Sequence, residues 1–76
     1  MEYRVEVYIR NIAIETLDSI VVIAEFVDID NNVVAREDGL QLDVPSGMQT
    51  QLGISVSSSH VNFWEISDVK FIIEAN

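Results

Sequence analysis

Three side chains with ligand oxygens, Asp28, Asp30 and Asn32, stand at alternate positions in one short polar segment. A calcium-binding loop of the EF-hand type begins with this spacing, because alternate oxygens can converge on a hard cation. The rest of such a loop is absent, since its sixth position would be Val33 instead of glycine and its twelfth would be Gly39 instead of glutamate. The segment therefore predicts a hairpin turn, with weak cation binding left open. No metal centre and no other cofactor is expected.

Three serines, Ser57 to Ser59, precede the only histidine of the chain, His60. A hydroxyl nucleophile needs a base and an orienting group around it in space. Neighbouring residues on an extended segment point to opposite sides, and no nucleophile-elbow motif surrounds these serines. The 13 Asp and Glu residues include no two in a visibly apolar pocket that would separate their pKa values. We expect a solvated loop here, no catalytic residues and no enzymatic activity.

Two adjacent aromatic residues, Phe63 and Trp64, could anchor an interface or fill the core. Core filling is the favoured interpretation for so short a chain, with one of the pair inside and the other outside. Tyr8 lies among charged residues on an alternating strand, and we interpret it as a surface contact residue.

Alternation of apolar and polar residues with a period of two dominates the chain and predicts strands. The predicted strands cover 3–10, 20–29, 33–35, 40–44, 48–56 and 69–74. Polar turns are predicted at 36–39 and at Pro45-Ser46-Gly47, and a short helical turn at 63–66. The absence of an apolar stripe of helical period predicts an all-β fold, a small antiparallel β-sandwich of six to seven strands. One domain is expected over residues 1–76.

Charge and composition exclude several classes of partner. Four Lys and Arg against 13 Asp and Glu give a formal net charge of −9, which disfavours nucleic acid and anionic membranes. The chain has no cysteine, so disulfides cannot reinforce a domain this small, and association with another subunit is the expected supplement. With no signal peptide and no apolar run of about 20 residues, the default localisation is cytoplasmic, or exported if the chain is excised from a longer precursor.

The order of these signals supports a family resemblance. An alternating strand ends in asparagine (Val5 to Asn11), a β-branched strand runs into an Asp-x-Asp turn (Ile20 to Asn32), and Val33-Val34 follows. A Leu-x-x-x-x-Pro-x-Gly segment (Leu40 to Gly47) then leads into a further alternating strand. This layout resembles a bacterial immunoglobulin-like domain of the FxLYD type. The resemblance implies an immunoglobulin-like sandwich and a non-enzymatic interaction domain.

The predicted strand at 20–29 is apolar on both faces. A small two-layer fold has one core, so a second apolar face is either covered by another part of the chain or exposed as a protein interface. The interface interpretation assigns five residues to the contact surface: Val21, Ile23, Val27, Ile72 and Tyr8.

Two hypotheses for function follow. In the first, the chain is a non-catalytic interaction module that docks on a protein partner, or on itself as a homo-oligomer, through this apolar sheet face. In the second, it is an acidic inhibitor or nucleic-acid mimic whose carboxylates, such as Glu37, Asp38 and Asp43, occupy a basic site on a larger protein. The dependence of binding on ionic strength distinguishes the two hypotheses, because binding through carboxylates weakens at high ionic strength and apolar docking does not.

Overall fold

The chain, described over all residues 1–76 by a computed structural model, folds into five antiparallel strands. The strands are β1 (Glu2–Arg10), β2 (Leu17–Val27), β3 (Val33–Val44), β4 (Gln49–Ser57) and β5 (Asp68–Ala75). A two-stranded sheet, β1-β4, is called here the small sheet, and a three-stranded sheet, β3-β2-β5, the large sheet. A 3-10 turn at Phe63–Glu65 precedes β5. The all-β class, the antiparallel pairing and the short helical turn are confirmed.

The core lies between the two sheets. The inward face of β2 supplies Ile20, Val22, Ala24 and Phe26, all of them essentially inaccessible to solvent. The facing side of β4 contributes Leu52, Ile54 and Val56 to the same cluster. Strand alternation brings these residues to one side of each sheet, as the period of two predicts. The opposite side of β2 therefore points away from the core.

Strand β3 is continuous, so the turn predicted at 36–39 is wrong. Gly39 pairs with Val22 in the middle of the large sheet, and a Cβ added there would lie 3.4 Å from Cγ1 of Ile54. A glycine within a strand often marks close approach of another segment, and here it lets the large sheet approach β4. The adjacent charged residues are tolerated because β3 is an edge strand. Joining two predicted strands in this way leaves five strands.

Asn11 is the only buried polar residue, with 2% of its surface exposed. Its Nδ2 donates to the carbonyls of Glu15 and Val44, each at 2.9 Å, and its Oδ1 accepts the Ala13 N–H at 2.9 Å. Its backbone N–H donates to the Met48 carbonyl at 2.9 Å. Asn11 therefore connects the end of β1 to the end of β3 and to the segment that leads into β4. The sequence indicated only that a strand ends here.

The connection between β2 and β3 is a hairpin, as the sequence predicted. One carboxylate oxygen of Asp28 accepts the N–H groups of Asp30 at 2.9 Å and Asn32 at 2.8 Å. Asn31 has a φ of 68°, a left-handed conformation that asparagine tolerates better than most residues. The hydrogen bond from the Asn32 backbone is the main reason why the pKa of Asp28 lies below its usual value. The carboxylate therefore stabilises the turn in its ionised form.

Changing Asp28 to alanine should lower the melting temperature in a pH-dependent way. Because the pKa is lowered in the folded state, the ionised carboxylate contributes stability above the unfolded value of about 3.9. That contribution is lost as the pH falls through the lowered folded-state pKa. Melting curves of the two proteins should therefore differ at pH 7 and converge in strong acid. An equal difference at every pH would contradict a role for the charge.

Candidate interaction surfaces

The outward face of the large sheet carries an apolar surface, named here the outer patch. Val21 and Ile23 of β2 lie at its centre, half-buried. Leu40, 55% exposed, is the β3 neighbour of Val21, and Ile72, 41% exposed, is the β5 neighbour of Ile23. Leu42 extends the patch along β3. Cross-strand neighbours share a face of the sheet, so these five residues form one continuous surface.

The structure brings some of the residues predicted for an interface together and separates others. Val21, Ile23 and Ile72 are neighbours. Val27 is only 3% exposed, and it follows a register shift after Phe26, so it offers no contact surface. Tyr8 is exposed, but it belongs to the small sheet and lies outside the outer patch.

Leu40 and Leu42 were not singled out from the sequence. A turn placed at 36–39 removed the register that connects them to β2, so their common face with Val21 could not be deduced. The alternation Leu40-Gln41-Leu42 was the available signal, and the polar run from Arg36 to Gly39 concealed the continuity of the strand. Charged side chains of both signs border the patch, because Glu25 of β2 lies between Arg36 and Lys70 on the neighbouring strands.

A second apolar surface lies on the core-facing side of β5. Phe71 and Ile73 are the β5 neighbours of Ala24 and Val22. The two β2 residues are fully buried, whereas Phe71 is 44% exposed and Ile73 is 55% exposed. The small sheet therefore covers β2 and ends before it reaches β5.

The topology explains this difference in coverage. Strands β3 and β4 approach each other where Gly39 meets Ile54, so β1 is the strand of the small sheet that lies nearer to β5. Neither β1 nor β5 has a second hydrogen-bonded neighbour. Their free edges therefore lie on the same side of the molecule, which is named here the open side.

The outward face of the small sheet is polar. Arg4 Nε donates to one oxygen of Glu6, and Gln51 Nε2 donates to the other at 2.9 Å. These two hydrogen bonds, the one from Arg4 first, lower the pKa of Glu6. The guanidinium of Arg4 lies over Gly53, where a Cβ would collide with it. This network gives the face a hydrophilic surface beside the exposed ring of Tyr8.

The other residues considered from the sequence are dispersed. The hydroxyls of Ser57 and Ser59 lie 2.9 Å apart, while the backbone N–H of His60 donates to the Ser57 carbonyl at 3.0 Å. Three or more His, Cys, Asp or Glu residues are nowhere grouped as metal ligands. The hydrogen bonds among Ser57, Ser59 and His60 form a small turn after β4.

Phe63 and Trp64 lie in different environments. The Phe63 ring packs 5.8 Å from the ring of Tyr3, next to the core. Trp64 is 82% exposed and lines an open groove of about 560 Å³ together with Ile29 and Glu65. The aromatic pair is thus divided between inside and outside, with Trp64 as the outer member.

No protein-family model, no curated protein and no solved structure matches this chain. None of its helical segments has the length and apolar character that crossing a bilayer requires.

Proposed function

We propose that this chain is a non-catalytic interaction module that docks on another protein through the outer patch. The proposal is carried by one observation: five apolar side chains on three adjacent strands form a continuous surface that faces solvent. Large contiguous apolar patches are rare on isolated soluble domains and are typical of interaction sites. An apolar centre bordered by charges is the usual arrangement of such sites.

The strands of the large sheet also give the patch a fixed shape. Val21 and Ile23 belong to the central strand, whose other face is the core, so a partner would meet side chains that are already ordered. Docking on an ordered surface avoids part of the conformational entropy cost of binding. Asp38 and Glu74 lie on the same face as cross-strand neighbours of Ile23 and Val21. The surface therefore fits a partner with a complementary apolar face and charges that pair with these carboxylates and with Arg36, Glu25 and Lys70.

The proposal extends to the fold, which we take to be a reduced immunoglobulin-like sandwich. Two antiparallel sheets that share one core support a reduced immunoglobulin-like sandwich. This is the architecture implied by the resemblance to FxLYD-type domains, whose expected role is also in interaction. A sandwich of this kind displays its sheet faces and edges to partners.

The acidic-inhibitor hypothesis has less support. Glu37 and Asp38 are consecutive on β3 and so point to opposite sides of the sheet. Asp43 lies near the far end of the same strand and has a φ of 54°. The three carboxylates do not form one surface that could occupy a single basic site.

Replacing Leu40 and Leu42, 55% and 54% exposed, together with threonine should weaken partner binding about tenfold or more, as for well-packed residues of an interface. Threonine keeps the strand propensity and removes most of the apolar area. A matched control changes Ile12 and Ile14 to threonine, because both are at least 90% exposed in the β1–β2 connection. The proteins captured by each tagged variant from a cell extract would be identified, and their affinities measured with purified components.

The expected result is a partner bound by wild type and control and lost by the outer-patch variant, with binding that persists at high salt. Partners held equally by all three proteins would contradict docking through this surface. Binding abolished by salt alone would favour the acidic hypothesis instead.

A further inference from the structure

The open side presents two unpaired strand edges next to exposed core residues. The large sheet has three strands and the small sheet has two. The small sheet therefore has no strand opposite β5, and Phe71 and Ile73 are left uncovered. An extended segment placed beside β1 would continue the small sheet and cover both side chains. The free N–H and C=O groups along β1 would hydrogen-bond to it, as in β-strand addition.

We infer that a second copy of this chain supplies the missing strand, in a two-fold symmetric dimer. In this dimer β5 of each copy lies beside β1 of the other. The small sheet of one copy and the large sheet of the other then form a five-stranded sheet in the order β4-β1-β5-β2-β3. Two such sheets pack face to face, and Phe71 and Ile73 of the two copies meet in the shared core. The arrangement is closed, as stable homodimers are.

Strand directions within one copy determine how β1 and β5 would pair. The end of β1 and the start of β2 lie at the same end of the molecule, because a short connection joins them and Asn11 bonds to Val44, the partner of Leu17. Strand β5 is antiparallel to β2 and therefore runs in the same direction as β1. A two-fold axis along the strands preserves direction, so the new pair is parallel.

Charge complementarity supports this parallel pair. The outward side chains of β1 are, in order, Glu2, Arg4, Glu6, Tyr8 and Arg10, and those of β5 are Asp68, Lys70, Ile72 and Glu74. In the parallel register that sets Arg4 beside Asp68, Glu2 lies before the start of β5. Each of the other charges then meets an opposite charge, and Tyr8 meets Ile72. Unlike charges on neighbouring strands stabilise a sheet and like charges destabilise it.

The distribution of basic residues supports the same pair of strands. The chain has four Lys and Arg residues in total, and Arg4, Arg10 and Lys70 belong to the two strands with free edges on the open side. Positive charge is thus concentrated beside the open side of a chain with a formal net charge of −9. The dimer would use these residues while leaving Val21, Leu40 and most of the outer patch exposed, so it goes beyond the proposed docking site.

Arg10 and Glu74 are the pair to test, because Arg4 and Glu6 form the only ion pair within the chain. Arg10→Glu and Glu74→Arg should each weaken dimerisation about tenfold or more, since the pair occurs twice in a two-fold dimer. The double variant should return to within about threefold of the wild-type dissociation constant, because the exchange restores complementarity. Sedimentation equilibrium measures these constants, and circular dichroism checks that each variant is folded.

Glu37→Arg is the matched control for Glu74→Arg, because it makes the same change in net charge on β3, away from the open side. Both Glu74→Arg and Glu37→Arg lower the net negative charge, and hence the overall repulsion between copies, by the same amount. A weaker dimer with Glu74→Arg alone would therefore reflect the place of Glu74 beside Arg10 of the other copy. A wild-type protein with the mass of one copy at every concentration up to the millimolar range would overturn the dimer. So would a double variant that associates no more tightly than the single variants.

Discussion

Aspartate in place of Asn11 should destabilise the chain by about 3–5 kcal/mol at neutral pH, the cost of leaving a buried charge without a partner. The Asn11 amide donates to the carbonyls of Glu15 and Val44. A carboxylate has the same shape but no donor, so it would direct negative charge at both carbonyl oxygens. Urea denaturation at pH 7 measures the loss as a lower midpoint with an unchanged slope.

Two comparisons separate charge from shape at this position. Asn11→Ala should cost about 1–3 kcal/mol, because the carbonyls of Glu15 and Val44 lose their donor without gaining a repulsive charge. Acidification should restore part of the stability of the aspartate variant, because the protonated side chain regains one donor. An aspartate variant as stable as wild type at pH 7 would show that these hydrogen bonds do not hold the two sheets together.

Truncation of Phe26 to alanine should cost about 3–5 kcal/mol, the range for large aromatic residues in a core. The Phe26 side chain is fully buried, and its ring meets Tyr3 of the small sheet edge-on at 5.7 Å. A small domain has few kcal/mol of stability in total, so this variant should be largely unfolded at physiological temperature. Thermal melting followed by circular dichroism would record the change.

Trp64→Ala is the control for that truncation. It removes a larger aromatic side chain, but one that is 82% exposed, so its effect should stay within about 0.5 kcal/mol. Equal losses from the two variants would mean that Trp64 is part of the core, contrary to its exposure beside the 3-10 turn.

Local patterns were sufficient to predict the fold class and most of the strands. The alternation in β1 and β4 has one partly or fully buried face and one polar face, so side-chain period and burial agree. The hairpin at Asp28 was predictable for the same reason, since its residues form the turn through their own short-range hydrogen bonds. Such features depend on residues close together in sequence.

Features that depend on distant residues were not predictable. The segment 36–39 has the composition of a turn. Only the approach of Ile54 to Gly39 shows why a glycine stands within the strand. Phe71 and Ile73 alternate with Lys70 and Ile72 along β5, and they lie on the core-facing side of the large sheet. Their exposure follows from the number of strands in the opposite sheet, which no local pattern contains.

The candidate surface was predicted in part for the same reason. An apolar second face on β2 was visible in the sequence, and Val21 and Ile23 do lie on the outward side of the sheet. Val27 has the same parity but is buried near the hairpin, where β3 shifts its register. Tyr8 was grouped with these residues by its exposure alone, and the pairing of β1 with β4 places it on the other sheet.

Backbone amide NMR spectra recorded from micromolar to millimolar protein would most directly test the claim that a three-stranded sheet over a two-stranded one leaves an open side at which two copies pair. We expect the amides of β1 and β5, including those of Phe71 and Ile73, to shift together with concentration. The amides of the β1–β2 connection around Ile12 should stay unchanged. Spectra that are identical at every concentration, or shifts confined to residues away from β1 and β5, would contradict it.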